Sequence, residues 1–522
     1  MSTQEMARRV ASTVAGEPVE GGIGVLRSVN PGSLDETVAE VQLSDASTFA
    51  GAARMAKQAQ PEWAATPAPV RGQVMANVAR LVRDNKRELA AYVTREIGKT
   101  TVEALGEVQE VIDTCDFFLG EGRRLYGMTV PSEMPSKQLM TFREPVGAVA
   151  VITPGNFPVA VPSWYLVPAL LCGNTVVWKP AEYAAATAHA LVELFWNGGV
   201  PPEALNVLHT DGATTFEGLE RALEEGTIDK VGFTGSTAVG RKIGALCGAH
   251  LQTPCLELGG KNPLVVMPDA DLEVAVQGAL FSGFGTAGQR CTSLGTAIVH
   301  ERVHDEFLSS LSEALEEAPI GDPTQDVLYG PMMEERFLRR FEQEWLALIR
   351  DHHEVRGSQG IGRITAANPR SGFVGGDPER GMFVHPTIVS GVRHDDELAR
   401  TETFGPLIGV ARFSDWEEAM ALANGHGYGL SAAIYTNDPR SAFRFRAEST
   451  AGMVSINNST SGAEAHLPFG GNGKSGNGSR QSGVWVLNEF SRWQAVNWDY
   501  AGQLQRAQMD VAEIAADPDF RL

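Results

Sequence analysis

Cysteine is scarce in this chain of 522 residues: five thiols, Cys115, Cys172, Cys247, Cys255 and Cys291, an odd number with no CxxC pair among them. That scatter excludes a disulfide framework and a zinc ribbon, and it fits a reducing compartment, the cytoplasm. Positive charge is also short. With 43 Lys plus Arg against 64 Asp plus Glu, the formal net charge is −21 and the pI about 5.0, a surface that repels nucleic acid backbones and anionic lipid. No long apolar run survives inspection either. The most apolar stretch, 146–178, is interrupted by Pro154, Pro158, Pro162 and Pro168, so it reads as strand, turn, short helix and strand and not as a membrane span. Arg8 and Arg9 are followed by no apolar core of the kind a secretory signal needs. Internal repeats and low-complexity tracts are lacking as well.

What is present fits two large lobes, since 522 residues exceed what one compact core usually holds. From Ser44 to Glu110, apolar residues recur every three or four positions among Ala, Arg and Glu, which predicts a layer of amphipathic helices. From Val146 onward, short apolar strands alternate with helical stretches: 146–153, 174–179, 205–210 and 230–234. That alternation predicts a parallel, doubly wound sheet. A second series after Glu257, with strands at 263–267, 295–300 and 407–413, predicts a second α/β lobe. The Gly-rich segment Gly357 to Gly381 reads as a surface excursion inside it.

Three segments carry candidate chemistry. Cys291 sits in a Gly-rich context, Phe284-Gly285-Thr286-Ala287-Gly288-Gln289-Arg290-Cys291-Thr292, where the adjacent Arg290 cation could favour the nucleophilic thiolate. Glu257 precedes Gly259 and Gly260 at the end of an apolar strand, either as a solvated turn residue or as a general base. Asn156 stands at a strand end between Pro154 and Pro158. It either caps the turn or offers its amide to an oxyanion.

Together these segments resemble the aldehyde dehydrogenase superfamily. So do Val177-Trp178-Lys179-Pro180-Ala181-Glu182, Phe233-Thr234-Gly235-Ser236, Glu402-Thr403-Phe404-Gly405-Pro406 and Pro468-Phe469-Gly470-Gly471, in order from about Ser28 to Trp498. The resemblance implies an α/β, aldehyde dehydrogenase-like fold. A Rossmann-type NAD domain would come from 1–125 and 148–256 and a catalytic domain from 257–458. An oligomerisation β-extension with the C-terminal tail would come from 126–147 and 459–522. A homodimer or homotetramer is implied, and the tail from Gly502 is expected to form a helix against a neighbouring subunit. Cys291 would attack an aldehyde, Asn156 would hold the oxyanion, and Glu257 would activate the hydrolytic water. The cofactor would be met by Thr153, Pro154, Lys179, Glu182, Gly212, Gly235, Ser236, Leu258, Glu402 and Phe404. Lys179 and Glu182 fall near the adenine ribose, and the Glu182 carboxylate would repel a 2′-phosphate, favouring NAD over NADP. Many relatives carry an aromatic where Gly155 stands, which implies a wider tunnel mouth here.

Within the superfamily, Gly106 to Glu110, Thr286 to Thr292 and Thr460 to Glu464 resemble the antiquitin, or α-aminoadipic semialdehyde dehydrogenase, group. That likeness implies a substrate pocket of Glu110, Trp164, Arg290, Thr292, Gly462 and Ala463, with Glu110 meeting the substrate amine and Arg290, Gly462 and Ala463 its carboxylate. The alternative for Glu110 is a solvated carboxylate on a charged helix. Glutamate γ-semialdehyde (1-pyrroline-5-carboxylate) and a general aliphatic aldehyde are the competing substrates. Rival readings are weaker. His300-Glu301-Arg302-Val303-His304 satisfies the HExxH zinc pattern, but His300 closes an apolar strand, so no metal is expected. Gly235 to Lys242 and the Gly473-Lys474-Ser475 segment miss the residues of a phosphate-binding loop. His352-His353-Glu354 reads as a solvated surface cluster. A catalytically silent scaffold on this fold is the remaining alternative, and Cys291, Glu257 and Asn156 together argue against it.

Overall fold

The computed structural model describes residues 7–522, so the first six residues of the expected cofactor domain lie outside the described residues. The helical layer forms as four helices, α1 (Ala46–Ala65), α2 (Ala68–Asp84), α3 (Lys86–Ile97) and α4 (Thr101–Arg124). α3 stops at Gly98, whose φ of 79° suits a residue without a Cβ. α4 starts in a reciprocal capping box between Thr100 and Glu103. It runs past Glu110, where the expected layer ended, because Val111, Ile112, Cys115 and Phe118 continue the buried face.

Two seven-stranded sheets follow. In the first, the parallel strands run Cys255–Glu257, Lys230–Thr234, Ala148–Ile152, Thr175–Lys179, Leu205–Val207, with the short strands Thr13–Val14 and Glu17–Pro18 added antiparallel at one edge. Chain order reverses between Ala148–Ile152 and Lys230–Thr234, which makes that pair the switch point where a doubly wound sheet opens a crevice at its strand C-termini. α5 (Ala160–Leu171), buried on every side, links the central strand to its neighbour. The second sheet orders Glu354–Arg356, Thr387–Ser390, Leu407–Phe413, Leu294–His300, Asn262–Val266, Ser431–Tyr435 and Met453–Ile456, all parallel except the first. Only residues 258–261 separate the strand Cys255–Glu257 of the first sheet from Asn262–Val266 of the second. The C-terminal end of Cys255–Glu257 therefore lies close to the N-terminal end of Asn262–Val266.

A separate antiparallel sheet pairs Ser491–Asp499 with Lys137–Pro145 over nine register positions and adds Thr129–Val130. Residues 459–490 do not join it. Gly462 and Ala463 face a cavity, and Val486, Leu487 and Phe490 enter the first lobe's core, so the 459–522 segment divides between site, core and extension. The tail corrects another expectation: from Gly502 it forms turns and coil and no helix. No helix among the described residues is long and apolar enough to cross a membrane.

His209, just beyond the strand Leu205–Val207, is fully buried, and neither ring nitrogen has a partner among the described residues. Burial first, then His189 and Lys179, push its pKa down to about 3. An unfolded chain binds a proton here near pH 6.5 and the folded chain does not, so this contribution to stability is complete above about pH 6.5 and drains away as pH falls toward about 3. The melting temperature is expected to fall less steeply between about pH 7 and about pH 4.5 in His209→Leu than in the parent. Parallel thermal-denaturation curves for the two proteins contradict this assignment.

Candidate active site

A cavity of about 420 Å³ opens at the switch point of the first sheet. One side of it comes from residues at or just after strand ends. Thr153 and Pro154 follow Ala148–Ile152, Lys179 ends Thr175–Lys179, Gly235 and Ser236 follow Lys230–Thr234, and Leu258 follows Cys255–Glu257. Ser236 caps the helix Thr237–Ala249, accepting from the Val239 amide, which aims a helix N-terminus at the crevice. Glu182, Gly212, Glu402 and Phe404 complete the set, so all ten cofactor residues expected from the sequence line one cavity. A helix N-terminus for phosphates, an ion-paired carboxylate and an aromatic wall form a donor set that fits a dinucleotide.

A second cavity, of about 310 Å³, is lined by Glu110, Trp164, Arg290, Thr292, Gly462 and Ala463, which is the whole expected substrate set. Among the described residues, Cys291 is the one lining both cavities. Its loop is held from several directions. Thr286 and Ala287 are left-handed, at φ 53° and 52°, a conformation costing about 1–3 kcal/mol per residue. The Asn156 amide donates to the Gln289 carbonyl at 2.8 Å, and the Asn262 amide donates to the carbonyls of Cys291 and Ser293 at 2.9 and 2.7 Å. Glu103 accepts from the Thr286 amide at 2.8 Å and from Arg290 Nη2 at 2.6 Å.

Glu103, Glu107 and Asn262 were missed in the sequence reading. Glu103, Glu107 and Glu110 stand at i, i+4 and i+7, so they share one face of α4. That spacing was the available signal. Glu107 pairs with Lys99 at 2.6 Å, both side chains buried, and accepts from the Val159 and Ala160 amides at 2.9 and 3.1 Å. Lys99 Nζ also lies 3.2 Å from the Phe157 ring centroid. Glu110 is not the solvated carboxylate of the alternative reading. Its Oε2 is buried without a partner, and burial first, then the neighbouring Glu107, push its pKa up to about 8. With Arg290 tied to Glu103 and Lys99 to Glu107, Glu110 is the unmatched carboxyl of this lining.

Three expectations need correction. Arg290 does not activate the thiol: its guanidinium turns to Glu103, and burial first, then Glu402 and Glu257, push the Cys291 pKa up to about 12. Gly155 does not widen the tunnel, because a Cβ there would come within 2.4 Å of the Tyr183 ring, and Gly155 lines neither cavity. Glu257 lines neither cavity in this structure. It is 2% exposed and its Oε2 accepts from the Gly471 amide at 3.3 Å. Burial, opposed by Arg480 and the Gly471 amide, raises its pKa well above the ordinary carboxylate range, which favours the neutral acid in that position. The HExxH segment places His300 as the cap of the helix Glu301–Glu317, with His304 against Asp305 and Arg412. His352 and His353 are not freely solvated, since both rings meet Asp396. The His353 Nδ1 accepts from the Arg350 amide, which leaves its proton on Nε2, the atom a metal would need bare.

A model of the aldehyde dehydrogenase family matches residues 20–496. The chain is 38% identical to the α-ketoglutarate semialdehyde dehydrogenase of Haloferax volcanii, over 88% of this chain and 92% of that protein. It is 34% identical to the α-aminoadipic semialdehyde dehydrogenase of Bos taurus, over 94% and 88%. Among solved structures it is similar to an E. coli NADP-dependent enzyme, with TM-score 0.86 and 30% identity over 94% and 98% of the two chains. It is also similar to the betaine aldehyde dehydrogenase of Staphylococcus aureus in complex with NAD+, with TM-score 0.88 and 26% identity over 95% and 96%. The chain belongs to the aldehyde dehydrogenase family.

Because the resting thiol is protonated at neutral pH, the rate of Cys291 alkylation by iodoacetamide is expected to rise roughly tenfold per pH unit between about 7 and 9, without a plateau. A plateau in that range contradicts the burial argument. Glu103→Ala is expected to lower stability by about 3 kcal/mol, measured by chemical denaturation, since it strands Arg290 and the Thr286 amide together.

Proposed function

We propose that this enzyme oxidises an amino-acid semialdehyde of the α-aminoadipic type to the carboxylic acid, with NAD as hydride acceptor. The cofactor is NAD, which Lys179, Glu182, Ser236 and Glu402 would hold in the larger cavity. The domain roles follow the sheets: the first binds the dinucleotide, the second carries the nucleophile. The Cys291 thiol passes its proton to water as Sγ bonds to the aldehyde carbon, giving a thiohemiacetal oxyanion that the Asn156 amide and the Cys291 backbone amide stabilise. When bound, NAD supplies the acceptor for the hydride whose loss turns that adduct into a thioester. Glu257 then takes a proton from a water that attacks the thioester carbon. The C–S bond breaks, the thiol re-forms and the carboxylate leaves. This role requires Glu257 to be ionised and to turn from its seat beside Gly471 toward the Cys291 side. The exposed aromatic residues Trp493, Trp498 and Phe142 on the antiparallel extension support a homodimer or homotetramer joined there. Five unbridged cysteines support a cytoplasmic setting.

The observation that carries the substrate class is the unmatched Glu110 carboxyl. An ammonium group satisfies it, and the acidic side chains of Asp113 and Glu464 extend the same preference into an adjoining cavity of about 260 Å³ that Glu110 also lines. The 38% identity with an α-ketoglutarate semialdehyde dehydrogenase favours a second reading, in which a keto group replaces the amine and the protonated Glu110 donates to it.

Steady-state kinetics separate the two. For α-aminoadipic semialdehyde, kcat/KM is expected to exceed that for α-ketoglutaric semialdehyde and for hexanal, and the margin is expected to widen between about pH 7 and about pH 9. Glu110 ionises through about pH 8, and the ionised form accepts from the ammonium. A keto substrate ahead at both pH values selects the second reading. For the chemistry itself, Asn156→Ala is expected to lower kcat about a hundred- to a thousand-fold. Glu257→Gln is expected to release one equivalent of NADH per site in a burst and then stall. Sustained turnover in Glu257→Gln removes the glutamate from the hydrolytic step.

A further inference from the structure

The wall of the smaller cavity contains a buried ion pair. Lys99 stands between Gly98, where α3 stops, and Thr100, which caps α4, and its Nζ lies 2.6 Å from Glu107 further along that helix, with side-chain exposures of 1% and 0%. Replacing such a pair with apolar side chains of similar size often costs a protein no stability, so its contribution is to be sought in the geometry it fixes. Both partners reach across to one short segment. Glu107 Oε1 accepts from the Val159 and Ala160 amides at 2.9 and 3.1 Å, at the start of α5, whose N-cap residue Val159 offers no side-chain acceptor of its own. Lys99 Nζ lies 3.2 Å from the Phe157 ring centroid.

The segment so gripped follows Asn156 directly. It leaves the strand Ala148–Ile152 through Thr153, whose amide donates to the Lys179 carbonyl at 3.1 Å and whose hydroxyl accepts from the Trp178 indole at 3.0 Å. Between that anchor and the amides held by Glu107 only residues 154–158 remain, with prolines at 154 and 158 restricting the backbone. Asn156 is therefore pinned from both sides. Its Nδ2 carries two hydrogens; one goes to the Gln289 carbonyl at 2.8 Å, and the other is left for an oxyanion. Asn156 lines the larger cavity and Phe157 the smaller, so the segment runs along their boundary with Cys291. The same face of α4 carries Glu103, one turn earlier, which takes up the Thr286 amide and Arg290 from the loop of the nucleophile. One helix face thus holds the nucleophile through Glu103 and the oxyanion donor through Glu107.

Resting on the reading that the Asn156 amide stabilises the thiohemiacetal oxyanion, we propose that Lys99 and Glu107 are positioning residues for that amide: the pair clamps residues 157–160 so that the remaining N–H of Asn156 is aimed where the oxyanion forms. An oxyanion donor works only if it is aimed in advance, and an error of about 1 Å costs roughly a hundred-fold in rate. Lys99 and Glu107 act through Asn156 and make no bond to the reacting atoms.

Two double variants separate a clamp from a merely structural pair, since neither leaves a lone buried charge. Lys99→Met/Glu107→Leu is expected to lower kcat for aldehyde oxidation about ten- to a hundred-fold, with its melting temperature close to the parent's and its affinity for NAD in calorimetric titration unchanged. Lys99→Met/Glu107→Gln, whose carboxamide oxygen still accepts from the Val159 and Ala160 amides, is expected to recover part of that loss. In the Asn156→Ala background, Lys99→Met/Glu107→Leu is expected to change kcat by less than about twofold, because the amide that the pair positions is gone. The rate of Cys291 alkylation by iodoacetamide is expected to stay within about twofold of the parent's, since Glu103 still holds that loop. A kcat at the parent's level in both double variants, a loss that repeats in full on top of Asn156→Ala, or alkylation slowed by the same factor as kcat overturns the assignment. An Asn156→Ala protein that keeps the parent's kcat would instead overturn the reading of Asn156 on which it rests.

Discussion

A thiol that serves two cavities must be held at their boundary, and the loop around Cys291 is shaped by that single demand. The loop turns through Thr286 and Ala287 in left-handed conformations that side chains with a Cβ seldom adopt. It stays there because its polar groups are taken up from three separate parts of the chain: Glu103 on α4, Asn156 after the strand Ala148–Ile152 of the first sheet, and Asn262 at the start of the strand Asn262–Val266 of the second. Asn156 beside the first sheet and Asn262 in the second both donate to carbonyls of this loop. Each lobe therefore contributes to fixing the nucleophile, and a change in how the lobes pack is a change in where the sulfur sits.

Charge in the smaller cavity obeys the same economy. Buried ions are tolerated when they are paired and hydrogen-bonded. Lys99 with Glu107 and Arg290 with Glu103 meet that condition, and each carboxylate also receives backbone amides, Glu107 from the start of α5 and Glu103 from Thr286. Pairing matches the charge of these four groups, and Glu110 is left as the carboxyl whose buried Oε2 has no partner among the described residues. In the larger cavity the pattern is similar but half-exposed. Glu182 is matched by Lys179 within three residues and by Arg336 from a distant helix, and the second match is the weaker one.

Much of this was legible in the chain before folding. The ten cofactor residues and six substrate residues were expected through the family resemblance, which rests on short ordered motifs, and several of the cofactor residues stand at or directly after strand ends. A parallel sheet brings the ends of such strands together wherever they lie in the chain. Alternation of short apolar runs with helical stretches announced the two sheets, and four prolines excluded a membrane span for the segment that became a strand, α5 and a strand.

Composition and motif order by themselves determined the two α/β sheets, the family and which thiol is expected to react, because those properties reside in local patterns. Only the tertiary structure decided that Arg290 turns to Glu103, that Glu257 rests beside Gly471, that Tyr183 closes the space beside Gly155, and that Arg336 reaches Glu182. Each of these depends on side chains separated by tens to hundreds of residues, and a charge or a glycine takes its meaning from whichever neighbour the fold delivers to it.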